Sequence, residues 1–415
     1  MNRRQLLQSA GLIGLSTLLP SMAFAAEVDT SDLKKMTGDI VPIGREERAG
    51  RIARAQELMR KNGLSAVVIE PGSSLIYFTG VRWWRSERLT AAVIPVSGEP
   101  LIVTPFFERP SVQETLGIPA EIRVWQEDES PTAVIAKWLA ERKLDKGQIG
   151  IEETVRFFAS DGLGKLLPGV RLVSANPVVR GCRMHKTPAE IALMQKANDV
   201  TIAAIHWTAP RIQEGMTRDQ VAEMIVAATQ ALGGNADGAL VLLGEAAAYP
   251  HGSGKPQFVR EGEVVLIDCG CTVDGYASDI SRTLVFGKVP VDVRRVFETV
   301  AEGQKVAMRT AQLGTPAGKV DDAVRAFYER EGYGPGYKLP GLSHRTGHGI
   351  GMDGHEPVNL VHGETTPLEV GMCFSNEPGL YFPGKFGVRL EDCFHMTPAG
   401  PKFFSEPPSS IDQPV

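Results

Sequence analysis

The chain has 415 residues, more than one ordinary domain holds and enough for two, since domains usually run to about 100–200 residues. Hydrophobic residues make up 43% and charged residues 22%, with a mean hydropathy of −0.08, a balance that excludes a disordered or multi-span membrane chain. The 44 Lys and Arg against 49 Asp and Glu leave a formal net charge of −5, and no long basic run interrupts the chain, so nucleic acid is not expected as a partner.

Residues 1–25 read as a signal peptide. Arg3-Arg4 precede an apolar stretch from Leu6 to Leu19, and Ala23-Phe24-Ala25 supplies small residues at a cleavable spacing. The paired arginines followed by Gln5-Leu6-Leu7 resemble the twin-arginine export motif, with an ordinary secretory signal as the alternative. Either form predicts a periplasmic or secreted protein. No later stretch reaches the roughly 18 unbroken apolar residues needed to span a bilayer, so no membrane span is expected in the mature chain. The cysteines Cys182, Cys269, Cys271, Cys373 and Cys393 are odd in number and read as small buried core residues; a Cys373–Cys393 bridge stays open.

Residues 40–180 alternate helical and strand signals and predict an α/β domain. An amphipathic run Arg48 to Lys61 precedes an apolar strand Ala66 to Ile69, and two strands, Ala91 to Val96 and Leu101 to Thr104, flank the turn Ser97-Gly98-Glu99-Pro100. Trp83-Trp84 falls in a loop and reads as a buried rim or interface contact. A second domain, residues 186–402, opens at Thr187-Pro188-Ala189-Glu190, where Thr can cap a helix, Pro takes its first position and Glu returns the bond. Thr217 and Gln220 repeat the device for a helix that stops at Gly233-Gly234, and Val291 to Arg330 reads as a further helical stretch. Residues 403–415 form a tail.

The second domain carries the chemistry. Strands 264–270 and 277–285 flank Asp274-Gly275, a strong hairpin dipeptide, and are expected to set Asp268 opposite Asp279. Two facing carboxylates repel unless something positive lies between them, and Asp268 interrupts an apolar strand where a bare charge is costly. Glu377 and Glu391, symmetric about Gly384, repeat the arrangement, and four carboxylates can hold two divalent ions. Between the hairpins, His344, His348 and His355 fall within a stretch too rich in glycine for a helix or regular strand, so they are expected to line a site. A phosphate-loop reading of the same glycines fails for want of a Gly-Lys-Ser/Thr ending. His251, in His251-Gly252-Ser253-Gly254, is a fourth candidate.

The ordered set His251, Asp268, Asp279, His344, His348, His355, Glu377, Arg389 and Glu391 resembles the pita-bread metallopeptidases, the fold of methionine aminopeptidase, Xaa-Pro aminopeptidase and prolidase. The resemblance implies a creatinase-like α/β N-terminal domain followed by an α+β pita-bread catalytic domain. It implies metal ligation by Asp268, Asp279, His348, Glu377 and Glu391, with Glu377 also serving as general base. His355 would hydrogen-bond the substrate or the tetrahedral intermediate, and His251 and His344 would line the substrate site. Arg389 would either orient the substrate or a ligating carboxylate, or act as a structural counter-ion. Oxygen-rich donors with one imidazole suit two divalent ions, Mn²⁺ being expected, with Co²⁺, Fe²⁺ or Zn²⁺ as alternatives. The expected reaction is hydrolysis of Xaa-Pro peptide bonds by a metal-bridging hydroxide. A metal-dependent small-molecule lyase or hydrolase, or a non-catalytic binding protein, is the alternative. The resemblance also implies a homodimer or higher homo-oligomer.

Overall fold

The computed structural model describes residues 28–236 and 238–415, so the predicted signal peptide lies outside the described residues. The N-terminal domain is built on a six-stranded mixed sheet of β1 (Leu64–Ile69), β2 (Ala91–Pro95), β3 (Leu101–Pro105), β4 (Glu121–Trp125), β5 (Gly147–Ile151) and β6 (Val170–Ser174), in the order β4-β3-β2-β1-β5-β6. β2 is antiparallel to both neighbours, whereas the pairs β3–β4, β1–β5 and β5–β6 are parallel. Six helices accompany it: α1 (Arg45–Asn62), α2 (Ser73–Thr79), α3 (Arg109–Thr115), α4 (Pro131–Glu141), α5 (Phe157–Leu166) and α6 (Asn176–Arg183). β1 is almost continuously apolar because both of its faces are covered. Val67 and Ile69 share one buried cluster with Ile52 and Met59 of α1 and Val178 of α6, while Ala66 and Val68 share another with Trp138 of α4 and Leu163 of α5. Trp83 and Trp84 stack at 4.7 Å in the loop before β2; Trp84 is exposed rather than buried.

The second domain begins with α7 (Pro188–Thr208) and α8 (Arg218–Leu232). Both open on the predicted capping boxes, Thr187 with Glu190 and Thr217 with Gln220, and Gly233 ends α8 with φ 96°. Then follow β7 (Ala239–Leu243), β8 (Val264–Cys269), the hairpin tip β9 (Thr272–Val273) and β10 (Tyr276–Ala277), and β11 (Ile280–Val285), with sheet order β11-β8-β7. The helical stretch 291–330 is two helices, α9 (Val291–Thr310) and α10 (Gly318–Arg330), because Gly314, with φ 80°, and Pro316 break it. The chain ends with β12 (Gly347–Gly349), β13 (Glu356–Leu360), β14 (Cys373–Asn376), β15 (Gly379–Phe382), β16 (Phe386–Arg389), β17 (Asp392–Thr397) and β18 (Gly400–Phe403). Five of these strands make a sheet, β13-β12-β14-β17-β18, and β15–β16 is a hairpin inserted between β14 and β17. Val296 and Phe297 of α9 and Val324 of α10 share a core with Phe374, Val388 and Phe394, whereas Leu193 and Ala197 of α7 share another with Cys373 and Cys393. The strands thus lie between two helical layers. All five cysteines are buried and free, and the register sets Cys393 opposite Ser375 and Cys373 opposite His395.

Buried polar groups fasten the two domains. Arg51 of α1 donates to the Tyr276 hydroxyl at 2.8 Å, and that hydroxyl donates to Glu190 at 2.9 Å. Glu356, at the start of β13, is buried against Lys186 Nζ at 3.1 Å and against Arg183, which also pairs with Asp353 at 2.7 Å. Burial opposes its charge, but the two cations and the Asp353 N–H outweigh burial and hold the Glu356 carboxyl down at about 2. Replacing Glu356 with Ala strands Lys186 and Arg183 without this counter-charge. We expect a loss of about 3–5 kcal/mol, read as a fall in the urea unfolding midpoint; a loss below about 1 kcal/mol would show that water already serves these cations.

Candidate metal centre

Asp274-Gly275 is a two-residue loop with positive φ at both positions, 47° and 87°, the type I′ geometry that suits a twisted hairpin. Its register sets Asp268 opposite Ser281, not opposite Asp279 as expected from the sequence. The loop centre falls between residues 274 and 275, so Asp279 sits two places along the strand from the opposed position. A shift of two keeps the face. Asp268 and Asp279 therefore converge diagonally.

The second hairpin has the expected register. Asn376 pairs with Asp392 on one side and Gly379 with Arg389 on the other, and both registers put Glu377 opposite Glu391. A backbone bridge between Ser281 and Glu391 stitches the two hairpins together, and Ser281 Oγ donates to Glu391 Oε2 at 2.7 Å. Beneath them the fully buried pair Arg282–Asp392, at 2.6 Å, ties β11 to β17.

Ligand atoms of Asp268, Asp279 and Glu391 fall within 4.8 Å of one another, and so do those of His348, Glu377 and Glu391. The two sets share Glu391. His348 Nε2 lies 3.6 Å from Asp279 Oδ2 and 3.4 Å from Glu377 Oε1. Its Nδ1 is 3.0 Å from the Gly349 carbonyl, which fixes the proton there and turns the Nε2 lone pair towards the carboxylates. Burial first, and the neighbouring His355 second, push the His348 imidazole down to about 3, so it is neutral at any working pH. Burial and the mutual repulsion of the carboxylates raise Asp279 and Glu391 well above the usual range. Glu377 is pushed up to about 7, chiefly by burial, with Arg389 opposing and Asp268 reinforcing the shift.

The Arg389 guanidinium donates to Asp268 Oδ2 at 2.5 Å, Ser281 Oγ at 2.9 Å and the Tyr381 hydroxyl at 3.2 Å, which sets its charge against the acidic cluster. His344 is held as firmly: Nδ1 is 2.8 Å from the Arg345 carbonyl and Nε2 is 2.7 Å from the Tyr381 hydroxyl. Burial followed by the charge of Arg389 pushes it down to about 3. His355 is exposed, with its ring 3.9 Å from that of His348, and one of its nitrogens lies within 4.8 Å of the donor atoms of Asp279 and His348. His251 is exposed and lines the same cavity. Together with Arg345 and Val361 these residues line a cavity of about 630 Å³. Three of its residues or supports, Ser281, Tyr381 and Arg345, escape a reading of the sequence. Ser281 alternates with Asp279 on one strand face and Arg345 adjoins His344, but neither spacing distinguishes them from ordinary polar residues.

One imidazole with a free lone pair facing four clustered carboxylates is a donor set that fits divalent cations. A single arginine cannot neutralise all four carboxylates, and the raised Asp279, Glu377 and Glu391 carboxyls show the remaining charge deficit.

Two family descriptions match the chain: metallopeptidase family M24 over residues 192–398 and the creatinase/prolidase N-terminal domain over residues 51–185. A probable dipeptidase PepE of Mycobacterium tuberculosis is 33% identical over 362 residues, covering 86% of this chain and 93% of that protein. An Xaa-Pro dipeptidase of Lactobacillus helveticus is 31% identical over 359 residues, covering 85% and 95%. The crystal structure of dipeptidase PepE from Mycobacterium ulcerans superposes with a TM-score of 0.81 at 32% identity, covering 89% of this chain and 99% of that one.

The raised carboxyls fix the direction of a pH effect. Between the usual glutamate value of 4.5 and about 7, folded metal-free protein holds a proton at Glu377 that the unfolded chain releases, and Asp279 and Glu391 extend the window in the same sense. At these carboxyls the folded state binds more protons, so their contribution to the stability of the metal-free protein falls as pH rises, whereas His344 and His348, pushed down to about 3, act in the opposite sense only below their ordinary value of 6.5. Scanning calorimetry of chelator-treated protein should therefore give a higher melting temperature at about pH 6.5 than at about pH 8, and added Mn²⁺ should abolish or invert that slope. Parallel profiles with and without metal would show that the carboxylates do not form the ion site.

Proposed function

Because the chain belongs to metallopeptidase family M24 and carries a creatinase/prolidase N-terminal domain, we propose that it is a dinuclear-metal exopeptidase that hydrolyses Xaa-Pro peptide bonds. The observation that carries this reading is the pair of three-donor sets sharing Glu391 at the floor of one cavity. The relatives named dipeptidase and Xaa-Pro dipeptidase support the substrate class. Asp268, Asp279, His348, Glu377 and Glu391 would hold two divalent ions, Mn²⁺ in the first instance. Such ions supply a water of lowered pKa and polarise the scissile carbonyl.

The remaining work falls to side chains. Glu377, at the acidic floor of the cavity, would accept a proton and return it to the leaving nitrogen. His355, exposed beside His348, is placed to donate a hydrogen bond to the substrate as charge develops on its oxygen. His251 lines the same cavity. His344 spends both ring nitrogens inside the protein, so it shapes the wall rather than bonding substrate directly. Arg389 holds the Asp268 carboxylate in place through its guanidinium.

In metal-loaded protein, Glu377→Gln should lower kcat on an Xaa-Pro dipeptide by about 10²–10⁴-fold. Failure of the parent protein to hydrolyse any Xaa-Pro dipeptide or longer Xaa-Pro peptide, with both ions bound, would sink the reading. Export belongs to the same proposal. N-terminal sequencing of the protein from the extracytoplasmic fraction should start at Ala26; material found only in the cytoplasm with residues 1–25 intact would contradict it.

A further inference from the structure

Glu377 and Glu391 face each other where the strand pairing lapses. The ladder of β14 with β17 ends at the pair Asn376–Asp392, and that of β15 with β16 begins at Gly379–Arg389. Between them each glutamate leans on a third segment: the Glu377 N–H donates to the Thr346 carbonyl at 2.9 Å and the Glu391 N–H to the Ser281 carbonyl at 3.1 Å. Like charge meanwhile pushes the two side chains apart, so the last paired position, Asn376–Asp392, is where the strands must be held.

A buried amide does this. Gln304 of α9 is 2% exposed, and its Nε2 donates twice, to the Asn376 carbonyl at 3.1 Å and to Asp392 Oδ2 at 3.0 Å. Asn376 returns a bond from Nδ2 to the Gln304 carbonyl at 3.0 Å. Asp392 accepts further from Arg282 at 2.6 Å and from the Ser405 hydroxyl at 2.7 Å, and Arg282 also donates to the Glu391 carbonyl at 2.8 Å. One side chain thus joins the residue before Glu377 to the residue after Glu391. Its NH₂ brings two donors and no charge, so it serves a carbonyl and a carboxylate without altering the charge of the acidic cluster.

Resting on the dinuclear reading above, we infer that Gln304 is a positioning residue for metal binding, which keeps Glu377 facing Glu391 and governs one ion more than the other. The set His348, Glu377 and Glu391 draws on both glutamates, whereas Asp268, Asp279 and Glu391 draw on one. Loosening the Asn376–Asp392 crossing displaces two donors of the first set and a single donor of the second. Outer partners of ligating side chains are worth about 10–100-fold in metal affinity.

The test titrates chelator-treated parent, Gln304→Met, Asn376→Ala and Val300→Ala with Mn²⁺ by calorimetry. Gln304→Met fills the same space and removes both donors. Val300 lies one turn earlier on α9, fully buried in the apolar core, so its truncation destabilises the same helix without touching the crossing. The parent should bind two ions. Gln304→Met should weaken the weaker of the two by about 10–100-fold and the tighter by less than about threefold. Asn376→Ala, which loses one neutral hydrogen bond, should weaken the weaker ion by about 3- to 10-fold. Electron paramagnetic resonance at two equivalents of Mn²⁺ should show spin-coupled pairs in the parent and in Val300→Ala, and mainly isolated ions in Gln304→Met. Affinities in Gln304→Met that match those of Val300→Ala at a comparable fall in melting temperature, or an equal loss at both ions, would overturn the assignment and leave the exopeptidase reading intact. Should Gln304→Met not fold, a change below about twofold in Asn376→Ala has the same force. A parent that binds fewer than two ions overturns both.

Discussion

Repulsion among four carboxylates is the constraint around which the second domain is arranged. Two hairpins bring Asp268, Asp279, Glu377 and Glu391 together, and the second of them also carries Arg389, whose guanidinium pairs with Asp268. Beside that cation stands one neutral imidazole, His348, whose tautomer is set by the Gly349 carbonyl. The rest of the deficit is left for protons or metal ions to fill, which is why burial and like charge raise Asp279, Glu377 and Glu391 together. A framework must resist that repulsion, and it does so with buried pairs: Arg282–Asp392 under the hairpins and Arg325–Asp321 under the His344–His348 segment.

Much of this was legible in the residues, and the failures have definite causes. Helix starts at Thr187 and Thr217 could be read because capping is a local exchange between a hydroxyl and a side chain three positions on. Glu377 and Glu391 could be paired because their hairpin turns about a residue, Gly384, and the register is the same on both sides of them. Asp268 and Asp279 could be placed on one face but not in their register, because the Asp274-Gly275 loop turns between residues and offsets the pairing by two. The single helical run 291–330 failed where Gly314 and Pro316 interrupt an otherwise amphipathic pattern.

The particular partners of these side chains were not legible where the contacts are distant in sequence. Arg389 meets Asp268 across 121 positions, and the Tyr381 hydroxyl meets His344 across 37, so no periodicity announces either bond. Arg345 lies beside a histidine that draws attention, and only the assembled cavity shows it on the wall.

The pairing of Glu356 with Lys186 and Arg183 has a mechanical consequence. Arg183 ends the last helix of the first domain, Lys186 lies in the short link to α7, and Glu356 follows His355 directly in the chain. The link therefore cannot work as a free hinge: swinging the first domain away would strip two cations from a buried anion and drag the segment bearing His355 with it.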